Sequence, residues 1–238
     1  MKELSEEWLK HQKLLVISPH PDDAIIGCGG LMAKLKSRGS SIYVMTIVVG
    51  DEPQYGGFSK TKEREIEESN AMGFLKVDKF EIAMRGGKFH LRLDTMPQKE
   101  IIDLIEKKSS VSLEKIKPTI VAIPSICSEN QDHVAVAKAS FTALRPRSKK
   151  FKHSPDLVIS YEQGSTFWSM DTFKPNLFVD IADYLSIKLK ALSYYKSQIP
   201  EKGPNPRTLK AIEALATLRG TQICTGAAEA YECIRMEF

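Results

Sequence analysis

Short, largely apolar runs that recur among amphipathic stretches constrain this chain more than any other feature. The first, Leu14-Leu15-Val16-Ile17, has no polar face and reads as the centre of a buried strand from about Lys13 to Ser18. Further strand-like runs occupy residues 42–49, 79–83, 119–123, 157–161 and 177–181, with Lys79, Glu81 and Asp180 the charges among them. Around them lie helix-patterned segments at 27–37, 61–72, 97–108, 132–144, 184–197 and 208–218. Such alternation predicts an α/β fold, with a mostly parallel central sheet covered by helices on both faces. Gly39, Gly73, Pro97 and Pro124 punctuate the boundaries, residues 50–57 read as a loop, and 200–206 break the last two helices apart. With 238 residues and 42% hydrophobic content, the chain can close one sizeable core, so a single domain over 1–238 is expected.

Charge excludes some partners. The net +4 comes from 34 basic and 30 acidic residues, a near balance that predicts no nucleic-acid partner. The basic stretch 145–152 fits a solvated loop after a helix better than a patch for a polyanion. Cys28, Cys127, Cys224 and Cys233 show no CxxC spacing and are expected to be reduced. The first dozen residues are charged, and no apolar stretch approaches the ~20 residues of a spanning helix. A soluble, cytoplasmic protein with no membrane span is expected; a homo-oligomer is allowed but not specified.

Chemistry concentrates just after the first strand, in His20-Pro21-Asp22-Asp23, with Gly27-Cys28-Gly29-Gly30 behind it. A divalent metal held for hydrolysis takes three nitrogen or carboxylate ligands and keeps one position open. His20 and either Asp22 or Asp23 supply two of these, while the other aspartate is free to act as general base. The third ligand must come from His11, His90, His133 or His153. His133 is best placed, since it follows the carboxyl end of another strand and parallel sheets gather such ends on one rim. Each piece has a structural reading too: a His-Pro turn, aspartates capping a helix, and Asp132 capping the helix it precedes.

These residues resemble the LmbE-like (PIG-L) zinc-dependent N-acetylglucosamine deacetylases. Beyond the first motif, the likeness runs through Arg64-Glu65, Asn130-Gln131-Asp132-His133, Ser160-Tyr161-Glu162, Lys190-Ala191-Leu192, Arg219-Gly220 and Ala228-Glu229-Ala230-Tyr231. It implies a Rossmann-like three-layer fold with a C-terminal β/helical extension. It also implies that His20, Asp23 and His133 bind zinc (Zn2+), that Asp22 is the general base, and that Asp132 supports a histidine or caps its helix. Arg64 would reach the substrate; its alternative is a surface helix charge paired with Glu67 or Glu68. Two histidines and one carboxylate also suit ferrous iron (Fe2+). The implied activity is removal of an N-acetyl group from an amino sugar or glycoconjugate.

Two positions depart from the family pattern. Ala24 stands where glutamate is common, and Asn130 where many relatives have a histidine that acts as acid or stabilises the oxyanion. An asparagine amide donates a hydrogen bond but cannot shuttle a proton. Either Asp22 handles both transfers, or another group such as His153 enters the site, or the chain is a weakened member that binds metal or sugar. Specificity would lie in loops 51–59, 85–95 and 163–174, where Tyr55, Phe89, Phe167 and Trp168 are candidates to stack on a sugar.

Overall fold

The first apolar run forms β1 (Lys13–Ser18) at the centre of a seven-stranded sheet. The computed structural model describes residues 7–54, 57–148, 150–163, 168–201 and 203–237; Tyr55 and Phe167 lie outside them. In chain order the elements are α1 (Asp23–Ser37), β2 (Ser41–Val49), the hairpin β3 (Glu52–Gln54) and β4 (Gly57–Ser59), then α2 (Thr61–Phe74) and β5 (Lys79–Arg85). There follow α3 (Gln98–Asp103), which runs on as π-helical turns over Leu104–Lys108, α4 (Leu113–Ile116), β6 (Ile120–Pro124) and α5 (Gln131–Ala143). The chain continues through β7 (Leu157–Tyr161), β8 (Leu177–Asp180), α6 (Leu185–Leu192), α7 (Leu209–Thr221) and β9 (Ala228–Met236).

The sheet order is β5-β2-β1-β6-β7-β9-β8. β1 pairs in parallel with β2 and β6, β2 with β5, and β6 with β7, whereas β9 runs antiparallel to both β7 and β8. Alternate side chains of β1 feed two cores: Leu14 and Val16 join one with α1, α6 and α7, and Leu15 and Ile17 join the other with α3 and α5. This is the expected three-layer α/β architecture.

Strand order reverses direction at β1. The chain leaves β1 toward β2 and returns to β6 on the other side, so a crevice opens at the carboxyl ends of β1 and β6. The turns after these two strands carry His20-Pro21-Asp22-Asp23 and Asn130-Gln131-Asp132-His133.

Several boundaries differ from expectation. α1 starts at Asp23, a full turn before Gly27, because its glycines are packing positions inside the helix. A Cβ on Gly27 would collide with the Tyr161 ring, so only glycine lets α1 lie this close to β7. The 50–57 loop contains half of the β3-β4 hairpin. The helix expected over 184–197 ends at Leu192, followed by turns through Tyr195 and Ile199. The C-terminal β/helical extension comprises α7 and β9; Glu229, Glu232 and Arg235 obscure the strand pattern of β9 in the sequence.

The basic stretch folds inward at its ends. Arg145 and Lys152 both reach Glu106 Oε1, at 2.9 and 2.5 Å, where α5 closes. Among the described residues, no helix is long and apolar enough to cross a membrane.

Candidate active site

Asp22 sits at the N-cap of α1 with φ 81°, a left-handed conformation rare for a residue with a side chain. Its carboxylate makes no capping bond; its backbone carbonyl accepts from Ile25 and Ile26, both at 2.9 Å. The strained turn therefore begins the helix through the main chain and leaves the acid for another task. Asp23, next in line, accepts a hydrogen bond from the His20 backbone N–H at 3.0 Å and folds the motif onto itself.

Across the crevice, Asn130 caps α5, its Oδ1 accepting from the Asp132 N–H at 2.9 Å. Asp132 is completely buried. Its Oδ2 accepts from His20 Nε2 at 2.9 Å and from Leu91 N–H at 2.8 Å, and its Oδ1 accepts from Leu93 N–H at 2.8 Å. Leu91 also has a positive φ, 56°, so a second strained residue presents an amide to this carboxylate. Burial works against ionising Asp132, but the His20 ring and the two amides outweigh it and hold its pKa low.

These partners dictate the histidine tautomers. A carboxylate only accepts, so the proton of neutral His20 lies on Nε2 and leaves Nδ1 bare. His133 Nδ1 lies 2.5 Å from Gln163 Oε1, an amide oxygen, so the proton lies on Nδ1 and Nε2 is bare. These two nitrogens, bare when both rings are neutral, are 3.2 Å apart, and Asp23 Oδ2 lies 3.5 Å from His20 Nδ1 and 3.2 Å from His133 Nε2. Ligands ~2.0–2.1 Å from a tetrahedral metal stand roughly 3.3–3.4 Å apart, so the triangle fits such an ion. Each histidine's other nitrogen is engaged by an oxygen acceptor, the usual support for a metal ligand.

The charges agree with that role. Burial depresses His20, but Asp132 and Asp23 more than compensate, raising its pKa to about 9 without a metal. Asp23 is held well below the ordinary carboxylate range, His133 and His20 overcoming the effect of burial. A metal entering this triangle displaces a proton, and its affinity should rise with pH.

Asp22 differs from its neighbours. Burial raises its pKa from 3.8 to about 6, opposed by the Arg207 guanidinium and reinforced by Asp23. Its Oδ2 is ion-paired with Arg207, and its Oδ1 accepts no hydrogen bond among the described residues.

Arg64 is 1% exposed and donates to Gly50 O at 3.0 Å, with Nη1 also 3.1 Å from both Glu52 Oε2 and His90 Nε2. It does not pair with Glu67, which takes both the N–H and the hydroxyl of Ser197, nor with Glu68. His90, which the sequence offered only as one histidine of several, sits edge-on to His20 with ring centroids 5.0 Å apart. Burial lowers its pKa, against the pull of Glu52. His153 does not enter the site: its Nε2 lies 2.6 Å from Pro118 O, before β6, at the opposite end of the sheet. Gln163, Glu52 and Arg207 were also missed, since none lies in a motif: Glu52 opens β3, Gln163 follows β7 and Arg207 precedes α7.

Behind Asp22, the fully buried Glu68 accepts from Thr46 Oγ1 at 2.8 Å and Tyr195 OH at 2.5 Å. Burial outweighs these bonds and raises its pKa from 4.5 to about 7. The stability it contributes is full below pH ~4.5 and lost as pH rises through about 7. Glu68→Gln should remove up to about 3 kcal/mol of this pH dependence. Urea titrations from pH 5 to 8 check it: parallel curves for wild type and variant would refute the assignment.

Comparison with known proteins places this geometry. The PIG-L family, described as GlcNAc-PI de-N-acetylase, matches residues 15–144, more than half of the chain. The diacetylchitobiose deacetylase of Thermococcus kodakarensis is 30% identical over 210 residues, covering 83% of this chain and 74% of the relative. Among solved structures, the conserved protein TT1542 of Thermus thermophilus superposes with a TM-score of 0.72 at 23% identity, over 92% of this chain and 93% of its own. The 4-carboxy-2-hydroxymuconate hydratase of Pseudomonas putida reaches a TM-score of 0.75 at 18% identity, over 95% and 98%. The last two likenesses concern fold, which hosts more than one chemistry; the family match and the Thermococcus relative concern descent. The chain belongs to the PIG-L (LmbE-like) family of deacetylases.

Proposed function

We propose that this protein is a metal-dependent hydrolase that removes the N-acetyl group from an amino sugar or glycoconjugate. The observation that carries the reading is the triangle of His20 Nδ1, His133 Nε2 and Asp23 Oδ2, beside a buried aspartate with one unpartnered oxygen. Bound there, zinc, or ferrous iron in its place, supplies a Lewis acid for the amide carbonyl and acidifies water toward pKa ~7. His20, Asp23 and His133 hold the ion, and Asp132 and Gln163 fix the two rings.

Asp22 is the general base. Its Oδ1 accepts the proton of the attacking water and returns it to the nitrogen of the departing amine, so a single carboxyl serves both steps. A pKa raised to about 6 suits this double role, because the group is ionised at neutral pH yet basic enough to take a proton. The diacetylchitobiose-deacetylating relative supports an N-acetylated sugar as substrate. Trp168, 71% exposed in the 163–174 loop, is available to stack on a sugar ring, whereas Phe89 packs against the core.

A second reading has one specific support. Asn130 Oδ1 is committed to the α5 cap, leaving its amide only as a donor, so the chain lacks the proton-shuttling histidine common in relatives. A weakened member that binds metal or sugar without turnover would follow. Acetate release from a panel of N-acetyl sugars separates the two. Under the proposed function, a chelator abolishes release and stoichiometric Zn2+ restores it; release that survives complete metal removal would sink the metal-dependent mechanism.

A further inference from the structure

We propose that Arg207 is a positioning residue for the reaction, clamping one oxygen of Asp22 so that the other alone is left to exchange protons. The proposal rests on the reading of Asp22 as the base. Arg207 Nη2 is ion-paired with Asp22 Oδ2; the aspartate side chain is 0% exposed and the arginine 30%. Asp22 Oδ1 accepts nothing among the described residues. An unclamped carboxylate turns about its last bond and presents either oxygen over a broad range of directions. The guanidinium removes that freedom and makes the two oxygens inequivalent, one structural and one reactive.

Arg207 is itself held rigidly, which is what a clamp requires. Its backbone N–H donates to Asn205 Oδ1 at 2.8 Å. Thr208 donates to Asn205 O at 3.0 Å and accepts from the Ala211 N–H at 3.2 Å, capping α7. Pro206 fixes the intervening backbone angle. The 204–208 segment therefore delivers the guanidinium from a turn locked on both sides, 185 residues along the chain from its partner. On the other side, the left-handed backbone of Asp22 is a conformation that persists only where the surroundings over-determine it. Two constrained backbones thus meet through one ion pair at the reacting carboxylate.

The test measures acetate release from N,N′-diacetylchitobiose or N-acetylglucosamine by zinc-loaded wild type, Arg207→Met, Arg207→Lys and Asp22→Asn. Arg207→Met should lower kcat about 100-fold, the order of loss from a misplaced catalytic group. KM and zinc stoichiometry should stay at wild-type values, the melting temperature should fall because buried Asp22 loses its ion-pair partner, and Arg207→Lys should recover a substantial part of kcat. An unchanged kcat in Arg207→Met overturns the proposal, and an increased kcat makes the ion pair an inhibitory lock instead. Should Arg207→Met fail to fold, the kcat and KM of Arg207→Lys decide: a fall confined to kcat supports the clamp, and a wild-type kcat overturns it. Full turnover by Asp22→Asn would remove the base assignment and the clamp with it, an outcome distinct from any produced by the Arg207 variants alone.

Discussion

Asp22→Asn should reduce acetate release by about 10²–10⁴-fold, the span expected for loss of a general base, with bound zinc unchanged. His133→Ala should lose activity and metal together, because it removes one corner of the ligand triangle. The two variants thus separate holding the metal from moving the proton. The asparagine variant carries a further expectation. In the metal-free protein the Asp22 pKa is raised from 3.8 to about 6, so ionised Asp22 opposes folding at neutral pH by roughly 3 kcal/mol. Its stabilising contribution is present below pH ~3.8 and lost as pH rises through about 6. Metal-free Asp22→Asn should therefore melt no lower than wild type at pH 8, an inactive protein gaining stability where the active one holds a strained acid. If the variant retained wild-type turnover, Asp22 would not be the base.

The second large effect is on stability. Lys188 and Glu229 form a buried ion pair at 2.6 Å behind α1, and both also serve the helix backbone. Glu229 accepts from the Gly30 and Leu31 amides at 2.8 and 2.7 Å, and Lys188 donates to Ile26 O at 2.7 Å. The pair thus also bonds main-chain groups in the middle of α1, the helix that carries Asp22 and Asp23 at its start. Lys188→Met leaves Glu229 charged and unpaired in the core and should destabilise the protein by about 3–5 kcal/mol. Replacing both by methionine should relieve the lone charge and recover most of that loss, since α1 keeps its own backbone hydrogen bonds. Denaturant unfolding measures both. A loss under about 1 kcal/mol in Lys188→Met would show that the pair contributes little.

The fold and the site were legible to different depths. β1 matched the residues expected of it, and α2 and α5 matched to within one or two, because burial period and turn chemistry are written within a few residues of each position. Glu229 shows the opposite case: a charge within β9 argues against a buried strand unless Lys188, 41 residues away, is known to meet it. The same holds at the site. His20, Asp22, Asp23, Asp132 and His133 stand out because they cluster in two short motifs. His90, Gln163 and Arg207 are isolated in the sequence, and no local pattern distinguishes His90, beside His20, from His153 at the far end of the sheet.

By itself the sequence determined the strand-helix alternation, the parallel sheet it requires, and the two turns that carry the acids and histidines. Those follow from local periodicity and from the rule that parallel strands gather their carboxyl ends on one rim. Only the tertiary structure decided that Asp132 orients His20, that Asn130 is committed to a helix cap, that Arg64 is buried against His90, and that Arg207 pairs with Asp22. These pairings span from 26 to 185 residues, except the cap, and depend on sheet register and on where each loop is anchored. Such long-range contacts are selected by the summed packing of the whole core, which no short stretch of sequence contains.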